Sequence, residues 1–291
     1  ALGAAQKNCE ISSQSLTEEL DKCRKMQMDF LPKNLPRLTG WEIEGFFFPA
    51  NRVSGDFYDV FELPGGYLGI VIGDVCDKGV GAALFMGLFR SLIRIFSGAA
   101  QLERNLVNQS THTVGGNIEA AAHRQYSQIE AIRAVALTND YIAREHGDMC
   151  MFATLFFGVL EPESGTLIYI NGGHEPLFVV NENGVEETLK PTGPAVGLFA
   201  RTEFIYKKLI LHPGDILFGY TDGVLDARSH QGARFTKKSL RKLLSKPAES
   251  VLDIMGNVGT DLFAHIGKAP QEDDVTMLAL RRKQLDQEDT L

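Results

Sequence analysis

Tyr67-Leu68-Gly69-Ile70-Val71-Ile72-Gly73-Asp74-Val75-Cys76-Asp77-Lys78-Gly79 is the stretch from which the rest of the chain is best read. It opens as a continuous apolar run, the pattern of a buried strand, and breaks into a turn rich in Asp and Gly. From about Gly81 to Phe96 the spacing becomes helical, through Leu84, Leu88, Leu92 and Ile95, and Arg90 and Arg94 fall on one side of that helix. An apolar strand fixes its own end in the core. A carboxylate placed there, as Asp74 is, is held rigidly and partly desolvated.

The same device recurs along the chain. Asp56 and Asp59 lie in Val53-Ser54-Gly55-Asp56-Phe57-Tyr58-Asp59; Asp222 follows the apolar Ile216-Leu217-Phe218; Asp273 and Asp274 precede the strand predicted over Val275 to Leu280. Carboxylates gathered at one point repel one another unless cations neutralise them. Oxygen donors with few His or Cys candidates favour Mg²⁺ or Mn²⁺ over Zn²⁺. Two such ions, about 3.5–4 Å apart, hold a bridging water, lower its pKa and clamp a phosphoryl group for in-line attack. The competing reading is that Asp beside Gly is a turn residue bonding its own backbone. Sequence alone does not bring the four acidic strand ends together.

Working outward, residues from about Ser13 to Pro32 read as a helix with Leu16, Leu20, Cys23, Gln27 and Phe30 on a heptad seam, and Ser15 with Glu18 fits a capping box. The seam is too short for a coiled coil on its own. It docks on the body, or serves as a dimer seam or signalling linker. Pro32 and Pro36 end it. Strands are predicted at Trp41 to Phe48 and Tyr67 to Ile72, then a loop from Gln101 to Gly116 and a helix from Ile118 to about His146 with Ile129, Ile132, Val135, Leu137 and Ile142 as core positions. Five further strands are predicted: Phe152 to Leu160, Thr166 to Ile170, Pro176 to Val180, Phe204 to Leu211 and Asp215 to Tyr220. Asn181 to Gly184 signals a hairpin. Helices return at Lys237 to Leu244 and Ser250 to Ile266, and Arg281 to Leu291 is a charged tail. Strands and helices in blocks predict an α+β fold with antiparallel sheets. The expected division is a helical linker or regulatory segment at 1–40, one catalytic domain at 41–283 and a tail at 284–291.

The chain has 291 residues, 44% of them apolar, and a net charge of −8. No basic block occurs, which speaks against a nucleic-acid partner. An acidic surface repels a phosphorylated substrate unless metal cations sit where the phosphate lands. Cys9, Cys23, Cys76 and Cys150 show neither CxxC spacing nor disulfide density, which fits a reducing, cytoplasmic setting. No signal peptide is visible, and no apolar run reaches the roughly 18 residues of a membrane span. The opening Ala1-Leu2-Gly3-Ala4-Ala5, without an initiator Met, suggests either a cloning remnant or a cut inside a longer protein.

Five motifs then occur in one order. Pro49-Ala50-Asn51-Arg52-Val53-Ser54-Gly55-Asp56-Phe57-Tyr58-Asp59 resembles the opening motif of the bacterial SpoIIE-like branch of the PPM phosphatases, and Gly73 to Leu84 its second. Asn171-Gly172-Gly173-His174-Glu175-Pro176 resembles the Ala-Gly-His-x-Pro turn of that branch; Gly214 to Val224 and Asp273-Asp274-Val275-Thr276 resemble its last two motifs. Together they cover about Leu31 to Arg281.

The resemblance implies an α-β-β-α sandwich of two antiparallel sheets flanked by helices. It implies metal-dependent hydrolysis of phosphoserine or phosphothreonine on a protein, usually a small STAS-domain anti-sigma-factor antagonist. It makes Asp56 and Asp74 the catalytic, metal-bridging carboxylates. The Val75 carbonyl is a further ligand, Asp222 and Asp273 complete one metal, and Asp274 is an alternative to Asp273. The wider family often carries a His shortly after the second motif's Asp; here Val75, Cys76, Asp77 and Lys78 follow instead. Lys78 and Arg52 are therefore the candidates for phosphate binding or proton donation, each set against an ordinary surface role. His174 reads as structural. The helix over Leu16 to Phe30 is expected to relay an upstream signal, through dimerisation, by repositioning Asp56 or Asp222. Two rival readings remain: a catalytically silent scaffold that binds phosphorylated partners, and a GHKL-type ATP-binding kinase, for which the Asn-bearing helix is not apparent.

Overall fold

The computed structural model describes residues 2–108 and 128–284, with side chains over 15–98 and 128–284. In chain order these hold α1 (Leu2–Phe30), β1 (Trp41–Phe48), β2 (Asp56–Leu63), β3 (Tyr67–Val75), α2 (Val80–Asn108), α3 (Ala134–Glu145), β4 (Ala153–Glu161), β5 (Thr166–Gly172), β6 (Leu177–Asn181), β7 (Gly184–Leu189), β8 (Lys207–Ile210), β9 (Ile216–Tyr220), α4 (Gly223–Asp226), α5 (Lys237–Leu244), α6 (Val251–Ile266) and β10 (Val275–Arg282).

The strands form two antiparallel sheets of five, ordered β2-β3-β4-β5-β8 and β1-β10-β9-β6-β7. Alternation along the strands builds three hydrophobic layers. Tyr58, Ile70, Ile72, Phe156, Leu177, Leu217 and Leu278 fill the space between the sheets. Phe57, Phe61, Phe157 and Ile170 face outward and pack with Phe85, Met86, Phe89 and Ile93 of α2 and Val135 and Ile142 of α3. Phe178, Phe218, Met277 and Ala279 do the same against α5 and α6. Full burial of one such aliphatic or aromatic side chain contributes roughly 1.5–3 kcal/mol. This is the expected α+β arrangement, a helix-sheet-sheet-helix sandwich.

Several local expectations give way. β2 carries Asp56, Asp59 and Glu62, and these charges mask a strand that pairs with β3 along its whole length. The hairpin expected at Asn181 to Gly184 joins β6 to the polar edge strand β7. β8 is shorter than the predicted Phe204 to Leu211, because residues 202–206 stay outside the ladder. α1 runs unbroken from Leu2, so Ser15 lies mid-helix and caps nothing. α2 continues to Asn108, through the first part of the predicted Gln101 loop; the remainder of that loop and the first part of the Ile118 helix lie outside the described residues. Its buried face is Ala82, Phe85, Met86, Phe89, Leu92 and Ile93, while Leu84 and Ile95 are exposed. In α3, Leu137 is likewise exposed. The Val80–Gly98 part of α2 is long and apolar enough to cross a membrane, with a mean hydropathy of 1.5. Here its apolar face packs on a sheet and its two arginines reach into the protein.

Candidate metal centre

One end of the sandwich collects the aspartates, and the ladders explain how. In the first sheet Asp56 opens β2 directly opposite Asp74 near the end of β3. Opposed residues in an antiparallel pair point to the same face. Both stand in series with residues of the inter-sheet core, Tyr58 and Val60 for Asp56, Ile70 and Ile72 for Asp74. The second sheet supplies Asp222 just beyond β9 and Asp273 and Asp274 just before β10, strands that are neighbours with opposite direction. Thr221 N–H donates to the Thr276 carbonyl at 3.0 Å, locking these two ends together. Four acidic strand ends far apart in sequence thus meet.

Glycines permit the approach. A Cβ on Gly55 would lie 2.6 Å from the Val75 carbonyl oxygen and 3.2 Å from Asp74 Oδ1. One on Gly223 would fall 1.8 Å from the Asp274 carbonyl oxygen, well inside contact distance.

The electrostatics are those of an uncompensated cluster. Burial, then the charge of Asp74, holds the Asp56 carboxyl well above the usual carboxylate range, against hydrogen bonds from Thr221 and Thr276. Burial, then Asp222 and Asp273, pushes Asp74 up to about 7. Burial, then Asp273, pushes Asp222 up to about 6. Asp56 is fastened on one oxygen: Thr221 Oγ1 and Thr276 Oγ1 each donate to Oδ2 at 2.6 Å. Neither hydroxyl was singled out from the sequence, although both lie inside the quoted motifs.

Asp273 and Asp274 divide their work. Asp274 Oδ1 accepts from the Ala50 N–H at 2.7 Å, tying the loop after β1 to the start of β10. Asp273 Oδ2 pairs with Lys78 Nζ at 3.0 Å, and that ammonium also donates to the Glu272 carbonyl at 2.9 Å. Burial alone lowers the Lys78 pKa, but the Asp273 hydrogen bond and charge, backed by Asp274 and Asp222, carry it above the usual lysine range. Arg52 goes elsewhere. Its Nη1 donates to the Thr17 carbonyl at 3.0 Å and to Asp21 Oδ1 at 2.6 Å, both on α1. His174 is buried. Cys76 and Cys150, unrelated in sequence, are neighbours, with Cys76 Sγ 3.7 Å from the Cys150 carbonyl oxygen.

Among the described residues no three His, Cys, Asp or Glu side chains close into a ready cage for one ion. The carboxylates lie near enough to act on one another's charge without closing on one point. Donors so placed suit Mg²⁺ or Mn²⁺, which retain several waters and take only one or two carboxylates each. Hard oxygen donors and raised carboxylate pKa values at one locus are what a divalent cation would relieve.

The chain matches the family described as stage II sporulation protein E (SpoIIE) over residues 64–283. It is 48% identical over 264 residues to the protein IcfG of Synechocystis sp., covering 91% of this chain and 41% of IcfG. The chain therefore spans less than half the length of that relative. Phosphoserine phosphatase RsbU of Bacillus subtilis is 23% identical over 274 residues, covering 93% of this chain and 72% of RsbU. Among solved structures, the SiaA-PP2C domain of Pseudomonas aeruginosa superposes with a TM-score of 0.68 at 20% identity, covering 93% of this chain and 98% of that one. RsbX, crystallised in complex with magnesium, superposes with a TM-score of 0.56 at 12% identity, covering 85% of this chain and 98% of RsbX.

Proposed function

The chain belongs to the SpoIIE family of PP2C-type serine phosphatases, and from that premise we propose that it hydrolyses phosphoserine or phosphothreonine on a protein with the help of two divalent ions, Mn²⁺ or Mg²⁺. The observation that carries this reading is the meeting of Asp56, Asp74, Asp222 and Asp273 from both sheets, where burial and mutual charge raise the pKa values of Asp56, Asp74 and Asp222. Asp56, Asp74, the Val75 carbonyl, Asp222 and Asp273 are the groups that would hold the ions. Asp274 acts chiefly as the tie to Ala50. When bound, the ions supply an acidified water and offset the charge on the phosphoryl oxygens.

The residues of the chain do the rest. Thr221 and Thr276 hold one oxygen of Asp56 and so fix the direction of the other. Lys78, kept charged by Asp273, is a cation that pins a phosphoryl oxygen at the rim and a poor proton donor. Arg52, engaged by α1, serves docking of that helix in place of phosphate.

The substrate we favour is a phosphorylated anti-sigma-factor antagonist of the STAS type, in the cytoplasm; RsbU, by its name a phosphoserine phosphatase, supports the chemical class. Residues 1–40 form a regulatory join ahead of the catalytic domain at 41–283, and the tail at 284–291 stands outside it. Exposed Leu16, Met26 and Phe30 give α1 an apolar stripe for a homodimer. The silent-scaffold reading has no comparable support, since a carboxylate cluster this costly has no use without cations. Hydrolysis of p-nitrophenyl phosphate and of a phosphoserine STAS protein, with and without Mn²⁺, tests the assignment. Metal-dependent turnover that disappears in Asp74→Asn is expected; partner binding with no turnover at any metal concentration would overturn it.

A further inference from the structure

The row of site residues across the first sheet does not stop at Asp56 and Asp74. The next strand places Thr154 of β4 directly opposite Asp74. Its side chain points to the same face as the aspartate, in series with Phe156 of the inter-sheet core. Thr154 Oγ1 lies 3.0 Å from Nδ1 of His174, in the turn between β5 and β6 where the chain crosses from one sheet to the other. That turn is built to bury the ring. His174 N–H donates to Asn171 Oδ1 at 2.8 Å, the fully buried Asn171 amide also donates to the Leu189 carbonyl at 3.2 Å, and Gly173 takes a left-handed φ of 69°. His174 is 2% exposed, and its Nε2 makes no aligned hydrogen bond.

Burial holds the imidazole neutral at physiological pH, with a pKa pushed down to about 4. A neutral ring has one donor and one acceptor nitrogen. The Tyr220 backbone acts on the ring in the direction that favours a proton. Nδ1 already faces Thr154, so Nε2 is the nitrogen left to carry the ring hydrogen toward the Tyr220 backbone, which avoids a buried acceptor with no donor. Nδ1 is then the acceptor, and the Thr154 hydroxyl donates to it. A threonine hydroxyl whose hydrogen is committed inward presents only lone pairs to the site.

Resting on the phosphatase reading, we propose that Thr154 is a hydrogen-bond acceptor for a water at the carboxylate centre beside Asp74, and that His174 is the positioning residue that fixes the Thr154 hydroxyl in that orientation. The pair extends the site by a neutral group on the side of Asp74 away from Asp56, where a further carboxylate would add to the repulsion.

Thr154→Val is the decisive variant, since a β-branched isostere suits a strand and removes only the hydroxyl. Groups that orient metal-site ligands and waters typically account for about 10–100-fold in affinity or activity. Thr154→Val is expected to lower kcat on p-nitrophenyl phosphate by roughly that factor at unchanged KM, and to weaken Mn²⁺ binding measured by calorimetry. Thr154→Ser is expected to restore both. His174→Leu is expected to lower kcat as well, and adding it to Thr154→Val to produce no further loss, because the two act through one group. A Thr154→Val protein with wild-type kcat and Mn²⁺ affinity overturns this inference and leaves the phosphatase reading intact. A wild-type protein that neither binds Mn²⁺ nor turns over overturns both.

Discussion

β2 carries two buried aspartates three residues apart, and the two faces of that one strand treat them in opposite ways. Asp59 points outward under α2, where Arg94 grips it from two nitrogens at 2.5 and 2.8 Å and Arg90 Nε lies 3.0 Å away. Asp56 points inward between the sheets, where it meets two hydroxyls and the charge of Asp74. Both are almost wholly shielded from solvent, at 0% and 2% exposure. The outer carboxylate is supplied with cations by the chain itself. The inner one faces further carboxylates, so cations that offset its charge would have to come from outside. Burial of an aspartate therefore says nothing about role until the charges facing it are counted.

The sharpest way to break the comparison is to neutralise each partner in turn. Asp56→Asn is expected to cost about 1,000-fold in metal-dependent turnover, the kinetic equivalent of losing several kcal/mol of charge stabilisation. Thermal unfolding of the same variant in chelator should occur no lower than in the wild type, because a repulsive charge has been removed. Asp59→Asn should do the reverse. It leaves Arg90 and Arg94 facing a neutral amide and is expected to destabilise by about 2–4 kcal/mol, less than a fully buried pair because Arg94 is partly exposed. At this chain length that corresponds to a fall in Tm of roughly 5–15 °C, while the folded fraction keeps its Mn²⁺ affinity. Equal thermal losses in the two variants would erase the distinction.

pH separates the inner face less drastically. Asp74 at about 7 and Asp222 at about 6 lie above the roughly 3.9 of an unfolded chain. Between those limits the folded protein binds more protons than the unfolded one, so stability falls as pH rises. In chelator the Tm is expected to decline from pH 4.5 to 7.5; saturating Mn²⁺ should reverse the decline, since cations take the place of the protons. A Tm in chelator that climbs through this window would contradict the carboxylate cluster.

How much of this was legible beforehand follows from the same contrast. The apolar strands leading to Asp74 and Asp222, and away from Asp273, announced rigid acidic ends, and the order of motifs announced the sandwich. β2 itself was not read as a strand, because the two aspartates that make it informative interrupt its apolar pattern. Arg90 and Arg94 were placed on one side of a helix, but nothing in a sequence says that Asp59 waits beneath them. The face of α2 was misjudged because a row of leucines at spacing four drifts around a helix of 3.6 residues per turn, leaving Leu84 and Ile95 in solvent. Thr221, Thr276 and Thr154 were invisible for a different reason. A hydroxyl gains meaning only from the carboxylate or imidazole that the ladder register brings to it.

The smallest expected effect concerns the route by which α1 reaches the inner aspartate. Gln27 is the one side chain between residues 15 and 30 classed with the buried interior, at 5% exposure. Its amide nitrogen donates to the Ser54 carbonyl, and its Oε1 accepts from the Ser54 N–H at 3.0 Å. Ser54 Oγ in turn accepts from the Asp56 N–H at 3.0 Å, two residues along. A displacement of α1 therefore pulls on the backbone that sets Asp56, with the Arg52 contacts to Thr17 and Asp21 as a weaker second tether. Gln27→Ala strands two backbone groups and is expected to destabilise by about 1–3 kcal/mol. Mn²⁺ affinity should fall only a few-fold, because Thr221 and Thr276 still hold the carboxylate from the opposite sheet. Removing residues 1–30 should reproduce that shift and also change the oligomeric state, read by light scattering. Wild-type metal affinity and an unchanged oligomer in the truncated protein would show that the outer helix and the inner face are independent.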